Sequence, residues 1–155
     1  MKTGKHRGSI VLRVALKIAI LILLLSASSL AQVAIIVNNS VPLKSVEAST
    51  ILNIYALNQK AWEDGTPIIP VILKGNESTT QIFYQYIGKS RLEMRKTWMR
   101  AQLSGEGRAP ISLDSDEAVL ETVASTPGAI GFVRAQIAGS NVRTVAIVQP
   151  IGRRE

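Results

Sequence analysis

The chain of 155 residues has no cysteine and a single histidine, His6. Without cysteine there is no disulfide, no thiolate nucleophile and no cysteine-based zinc site. Aromatic residues make up only 5% of the chain and charged residues 19%, yet 46% is hydrophobic, enough to exclude intrinsic disorder. Acids are missing from one region altogether. Lys2, Lys5, Arg7, Arg13 and Lys17 precede residue 18 with no Asp or Glu among them. These five carry most of the formal net charge of +7, and the rest of the chain holds 13 basic against 11 acidic residues. So balanced a remainder leaves no footprint for a nucleic-acid partner.

What is present begins with an unbroken apolar run, Ile18–Leu25, directly after the basic stretch. Ser26–Ala31 then supplies small residues, with Ser29 and Ala31 suitably placed for cleavage before Gln32. This is the order of a secretory signal peptide. The expected organisation is a signal peptide over 1–31 and one domain over 32–155, exported to the periplasm. The alternative is an uncleaved membrane anchor, since Ile18–Val37 carries no charge and is long enough to span a bilayer. The polar cluster Ser26–Ser29 and the β-branched run Val33–Val37 favour cleavage. Loss of His6 with the signal leaves a mature chain of 124 residues without His or Cys. Ser-His-Asp and Cys-His catalysis are then excluded, as are imidazole and thiolate metal sites. Neither an enzyme nor a cofactor is expected.

The mature chain alternates strand and helix patterns. Val33–Val37 reads as a strand covered on both faces. Ser45 is placed to cap a helix carrying Ala48, Ile51, Leu52 and Tyr55 on one side. A turn around Trp62-Glu63-Asp64-Gly65 precedes a second strand, Ile68–Leu73, with Pro70 expected at an edge or bulge. A helix with Ile82, Phe83, Tyr86 and Ile87 on one face stops at Gly88. Ser90 and Glu93 form a capping box for a helix over about Arg91–Leu103, with Leu92, Met94, Trp98 and Met99 expected to be buried. Asp114 with Glu117 opens another helix, ending at Thr126-Pro127-Gly128. Ala129–Val133 and Val142–Val148 complete the strands. The alternation implies an α/β layered domain with a mixed sheet flanked by helices.

Few residues offer chemistry. Asp114, Asp116 and Glu117 read as acids answering a helix macrodipole rather than a calcium or magnesium cluster. Arg91, Arg95, Lys96 and Arg100 read as a solvated helix face, and Trp62 and Trp98 as anchors. Gly75-Asn76-Glu77-Ser78-Thr79-Thr80 stands apart. A strand delivering a Gly- and hydroxyl-rich turn into a helix directs free N–H groups at one spot, a generic anion cradle. The Gly-Lys-Ser/Thr ending of a P-loop is absent. Helix capping by Ser78 or Thr79 is the plainer explanation of the same residues.

From Val33 to about Val148 the order of motifs resembles the periplasmic phosphate-binding proteins of phosphate ABC transporters and their single-domain relatives. The resemblance is carried by Val33–Asn38, Trp62-Glu63-Asp64-Gly65, Ser78-Thr79-Thr80 before Phe83, Ser104-Gly105-Glu106-Gly107-Arg108 and Pro127-Gly128-Ala129-Ile130-Gly131-Phe132. It implies a single lobe of a type II periplasmic-binding-protein fold, with an anion site drawn from Lys74, Asn76, Ser78, Thr79 and Thr80. Two departures stand out. Leu73 occupies the position where the family places an arginine, and Glu77 one where it places a small hydroxyl residue. The chain is also much shorter than the two-lobe members. The implied function is binding of phosphate or a related oxyanion, weak in a lone domain, in a transport system with a membrane permease. The alternative is a ligand-free accessory protein acting on an envelope partner or as a homo-oligomer.

Overall fold

The computed structural model describes residues 32–150. The signal segment read at 1–31 lies outside them. Among the described residues no helix is long and apolar enough to cross a membrane. The elements run β1 (Val33–Val37), α1 (Ala48–Tyr55), β2 (Ile69–Leu73), α2 (Glu77–Tyr86), α3 (Arg91–Ser104), β3 (Ile111–Leu113), α4 (Asp116–Ser125), β4 (Ala129–Arg134), a 3₁₀ turn at Ala135–Ile137 and β5 (Arg143–Val148). One five-stranded sheet has the order β3-β2-β4-β1-β5. β2 is parallel to β3 and to β4, whereas β1 is antiparallel to β4 and β5, so the sheet is mixed as the alternation implied.

Two adjacent residues of β4 show how the layers are divided. Successive strand residues face opposite sides of a sheet. Phe132 stacks on Phe83 of α2 with ring centroids 3.8 Å apart, and Tyr55 of α1 meets both rings edge-on. A Cβ at Gly131, on the other side, would stand 2.9 Å from both Val119 and Val123 of α4. Helices α1 and α2 therefore cover one face and α4 the other. All five residues of β1 are buried, as a central strand between two helical layers requires.

Several local expectations are corrected. Glu47, not Ser45, occupies the N-cap of α1, and it makes no side-chain cap bond. Ser115, not Asp114, caps α4, accepting from the Ala118 N–H at 3.2 Å. Asn76, rather than Ser78 or Thr79, caps α2. Pro70 lies in an interior strand. Its missing N–H is tolerated because Ile69 donates toward β4, so position 70 faces the β3 side, and the β3 pairing begins only at Val71. On α3 only Met94 and Trp98 of the four named residues are buried; Leu92 and Met99 are 59% and 54% exposed. That helix touches the domain along one narrow stripe, which contains 94 and 98, while 92 and 99 lie on another. The capping box of Ser90 and Glu93 is present as read. Trp62 and Trp98 are both buried anchors, donating to the Gly128 and Tyr55 carbonyls. The three-residue β3 was not anticipated.

Candidate anion site at the ends of β2 and β3

Parallel pairing brings Leu73 and Leu113 to the same edge of the sheet. The Lys74 N–H continues the ladder by donating to the Leu113 carbonyl at 2.7 Å. Gly75 follows because nothing larger fits: a Cβ there would collide with the Asp114 carbonyl. Each strand then turns into a helix, β2 into α2 and β3 into α4, so two helix N-termini open at one sheet edge. In α/β sheets ligands gather at such carboxyl ends of strands.

Asn76 joins the two helix starts. Its Oδ1 accepts from the Thr79 N–H at 3.3 Å, and its Nδ2 donates to Asp116 Oδ2 at 3.3 Å. Asp116 also accepts from the backbone N–H of Arg134 at 2.7 Å and from Arg134 Nε at 3.0 Å. Arg134 Nη2 reaches Glu117 at 3.4 Å. The carboxylate of Asp116 is only 4% exposed, so one protein anion is already built into the ground between the helices. Lys74 Nζ lies 3.2 Å from Asp114 Oδ1, and Glu77 lies 3.2 Å from Arg91. Asp114, Asp116 and Glu117 each engage a cation, and among the described residues no cluster of His, Asp or Glu could hold a metal ion.

The five residues named for anion binding are placed very differently. Lys74 is exposed at the rim and Asn76 is half-buried as the cap. Ser78 is exposed in the first turn of α2. Thr79 and Thr80 are both buried. The Thr80 hydroxyl faces the chain itself, 2.6 Å from the Asn76 carbonyl and 3.1 Å from that of Leu73. The backbone N–H groups of Glu77 and Ser78 meet no acceptor among the described residues. Those two donors and the Ser78 hydroxyl are what the turn offers a ligand. Sequence reading missed Asp116 and Arg134 as a pair. An acid in a first helical turn looks like any dipole acid, and only the fold brings the end of β4 beside it.

No family description and no curated protein sequence matches the chain. Solved structures do. A phosphate ABC transporter substrate-binding protein from Clostridium perfringens, with bound phosphate, aligns at a TM-score of 0.61 and 19% identity, over 74% of this chain and 45% of that one. An ABC-type phosphate transport receptor from Vibrio cholerae aligns at 0.59 and 14% identity, over 81% and 59%. PstS from Borrelia burgdorferi aligns at 0.55 and 13% identity, over 76% and 48%. The chain thus spans about half the length of these proteins. At such identities the likeness is one of fold, and the described domain has the fold of part of a phosphate ABC transporter substrate-binding protein.

Proposed function

We propose that this is an exported, non-enzymatic solute-binding-type domain that takes phosphate or a related oxyanion at the start of α2. The observation that carries this reading is the pair of free N–H groups, Glu77 and Ser78, beside the Ser78 hydroxyl at the carboxyl edge of the sheet. A helix N-terminus contributes about 0.3–2 kcal/mol toward an anion, and each hydrogen bond to a charged group about 1.5–3 kcal/mol. Two or three such bonds, less the loss of translational freedom, leave the lone domain near millimolar affinity. A second copy, a permease or an envelope partner would supply the missing wall. Export through residues 1–31 predicts a mature N-terminus at Gln32, to be read as the intact mass of the exported protein.

One observation favours the ligand-free accessory role instead. Glu77, Asp114, Asp116 and Glu117 place four carboxylates at the same edge, against three cations, Lys74, Arg91 and Arg134. An NMR titration with inorganic phosphate decides between the two. Movement of the Asn76–Thr80 amides at millimolar phosphate supports binding. No movement there at high phosphate supports the accessory role, and sub-micromolar binding by a demonstrated monomer overturns the half-site account.

A further inference from the structure

A second cleft, of about 260 Å³, lies between α3 and the outer part of the sheet. Lys74, Arg91 and Arg95 line it with the hydroxyl residues Tyr84 and Ser112, and no carboxylate belongs to the lining. Arg91, Arg95 and Trp98 share one face of α3 at helical spacing, so the helix delivers two guanidiniums and an indole to one place. Lys74 and Arg91 each pair with an acid at 3.2 Å, Asp114 and Glu77, whose side chains are 85% and 79% exposed. Arg95 forms no ion pair among the described residues.

Tyr84 makes the cleft more than a basic surface. Its ring is buried, with only 6% of the residue exposed, while its hydroxyl makes no hydrogen bond among the described residues and reaches the open cleft. Burial pushes that hydroxyl's pKa up, and the nearby Arg91 and Arg95 guanidiniums pull it back down. The group therefore stays a protonated donor in a positive field at neutral pH. A phenol O–H presented at the cleft beside two arginines adds a donor that an anion can accept from. Arginine matches the planar, two-pronged geometry of an oxyanion. Ile72, Trp98 and Pro110 supply apolar wall that an inorganic ion would leave unused.

We propose that this cleft binds a small oxyanion carried on an apolar body, such as an aryl or alkyl phosphate monoester. Its volume lies just below the range of drug-sized ligand pockets, which suits a small ligand. The cleft shares Lys74 with the residues read for the α2 site, but none of Asn76–Thr80 lines it, so the two sites report on different amides.

The test is a two-dimensional ¹H–¹⁵N titration of the full chain with phenyl phosphate and, separately, inorganic phosphate. Phenyl phosphate should saturably shift the Trp98 indole N–H and the Ser112 and Arg95 amides, and more tightly than inorganic phosphate. Arg95→Gln, at an exposed position, should weaken this response about tenfold or more, the loss expected for a charge-assisted bond. Tyr84→Phe keeps the ring in the core and should weaken it several-fold. Shifts confined to Asn76–Thr80 would overturn the cleft while supporting the α2 site. Cleft shifts unchanged in both variants would overturn it as well. Cleft shifts without any response at Asn76–Thr80 would uphold it and remove the other.

Discussion

Asp116 receives the backbone N–H of Arg134 at 2.7 Å and its Nε at 3.0 Å, so one carboxylate ties the first turn of α4 to the last residue of β4. The acid is buried and the arginine side chain is 45% exposed. The tie therefore acts less as a surface ion pair than as a set of charge-assisted hydrogen bonds, about 1.5–3 kcal/mol each before competition from water. Asp116→Ala is predicted to lower the unfolding free energy by about 2–3 kcal/mol, measured by urea denaturation. Asp116→Asn, which keeps an acceptor but no charge, should lose less. It should also strengthen the phosphate response at Asn76–Thr80, because it removes a fixed anion beside the α2 N-terminus. An Asp116→Asn variant as stable as the parent would count against the charge-assisted account.

How much of this was legible in advance depends on whether the signal is local. The strand Val33–Val37, the Ser90–Glu93 capping box and the stop at Gly88 were readable because each rests on a contiguous pattern. Asn76 shows the limit. Ser78 and Thr79 are equally good capping types, and choosing among them requires knowing where the chain leaves β2. Gly75 fixes that point, since its backbone presses on Asp114, thirty-nine positions away. Tyr84 was unreadable as a site residue for a similar reason. In α2 it is simply one more aromatic, until α3 brings Arg91 and Arg95 beside it. Leu92 and Met99 misled in the opposite direction, because an apolar residue on a helix does not reveal how narrow its contact stripe is.

Glu77→Ser is predicted to tighten phosphate binding at the α2 start. The glutamate places a like charge in the first turn, within the reach of the macrodipole, and two unit charges a few ångströms apart in water repel by about 1 kcal/mol or less. The expected gain is therefore only a few-fold in Kd, read from the Asn76–Thr80 amide shifts. The effect should shrink at high salt. Because Glu77 lies 3.2 Å from Arg91, the same change also frees a guanidinium at the neighbouring cleft. Phenyl phosphate binding should rise in the same variant.

Gly75→Ala tests the junction that builds both sites. The added methyl would meet the Asp114 carbonyl, a backbone atom that cannot rotate away. Relief requires β2 and β3 to part at their ends, where the Lys74 N–H donates to Leu113. Overpacking of this kind costs about 1–3 kcal/mol, and the lost ladder bond adds about 1 kcal/mol. A fall in urea midpoint is expected, with amide exchange accelerated first at Lys74 and Leu113. A substitution at Gly65 tests the contrast, since no atom lies within 4 Å of a Cβ there and the only penalty is its φ of +84°.

Alkaline pH should unfold the domain through its buried tyrosines. Burial pushes the Tyr55 hydroxyl well above its ordinary value, with a smaller contribution from Tyr84, whose own hydroxyl is also raised by burial. Above about pH 10 the unfolded chain releases these protons while the folded chain keeps them. The unfolded state then binds fewer protons, so stability falls as pH rises, by up to about 1.4 kcal/mol per pH unit for each group held protonated. Below that pH both states are protonated and neither tyrosine contributes any slope. Urea midpoints measured from pH 8 upward should be flat with respect to these groups and then decline. Absorbance at the phenolate band should rise together with unfolding rather than ahead of it for these two residues. Tyr55→Phe separates the contributions. The variant loses the hydroxyl that donates to the Val71 carbonyl at 2.9 Å, about 1 kcal/mol at neutral pH. Its alkaline decline should be shallower than that of the parent by one group's share. A parallel decline in both proteins would mean that Tyr55 ionises within the folded state and that its burial has little hold on its proton.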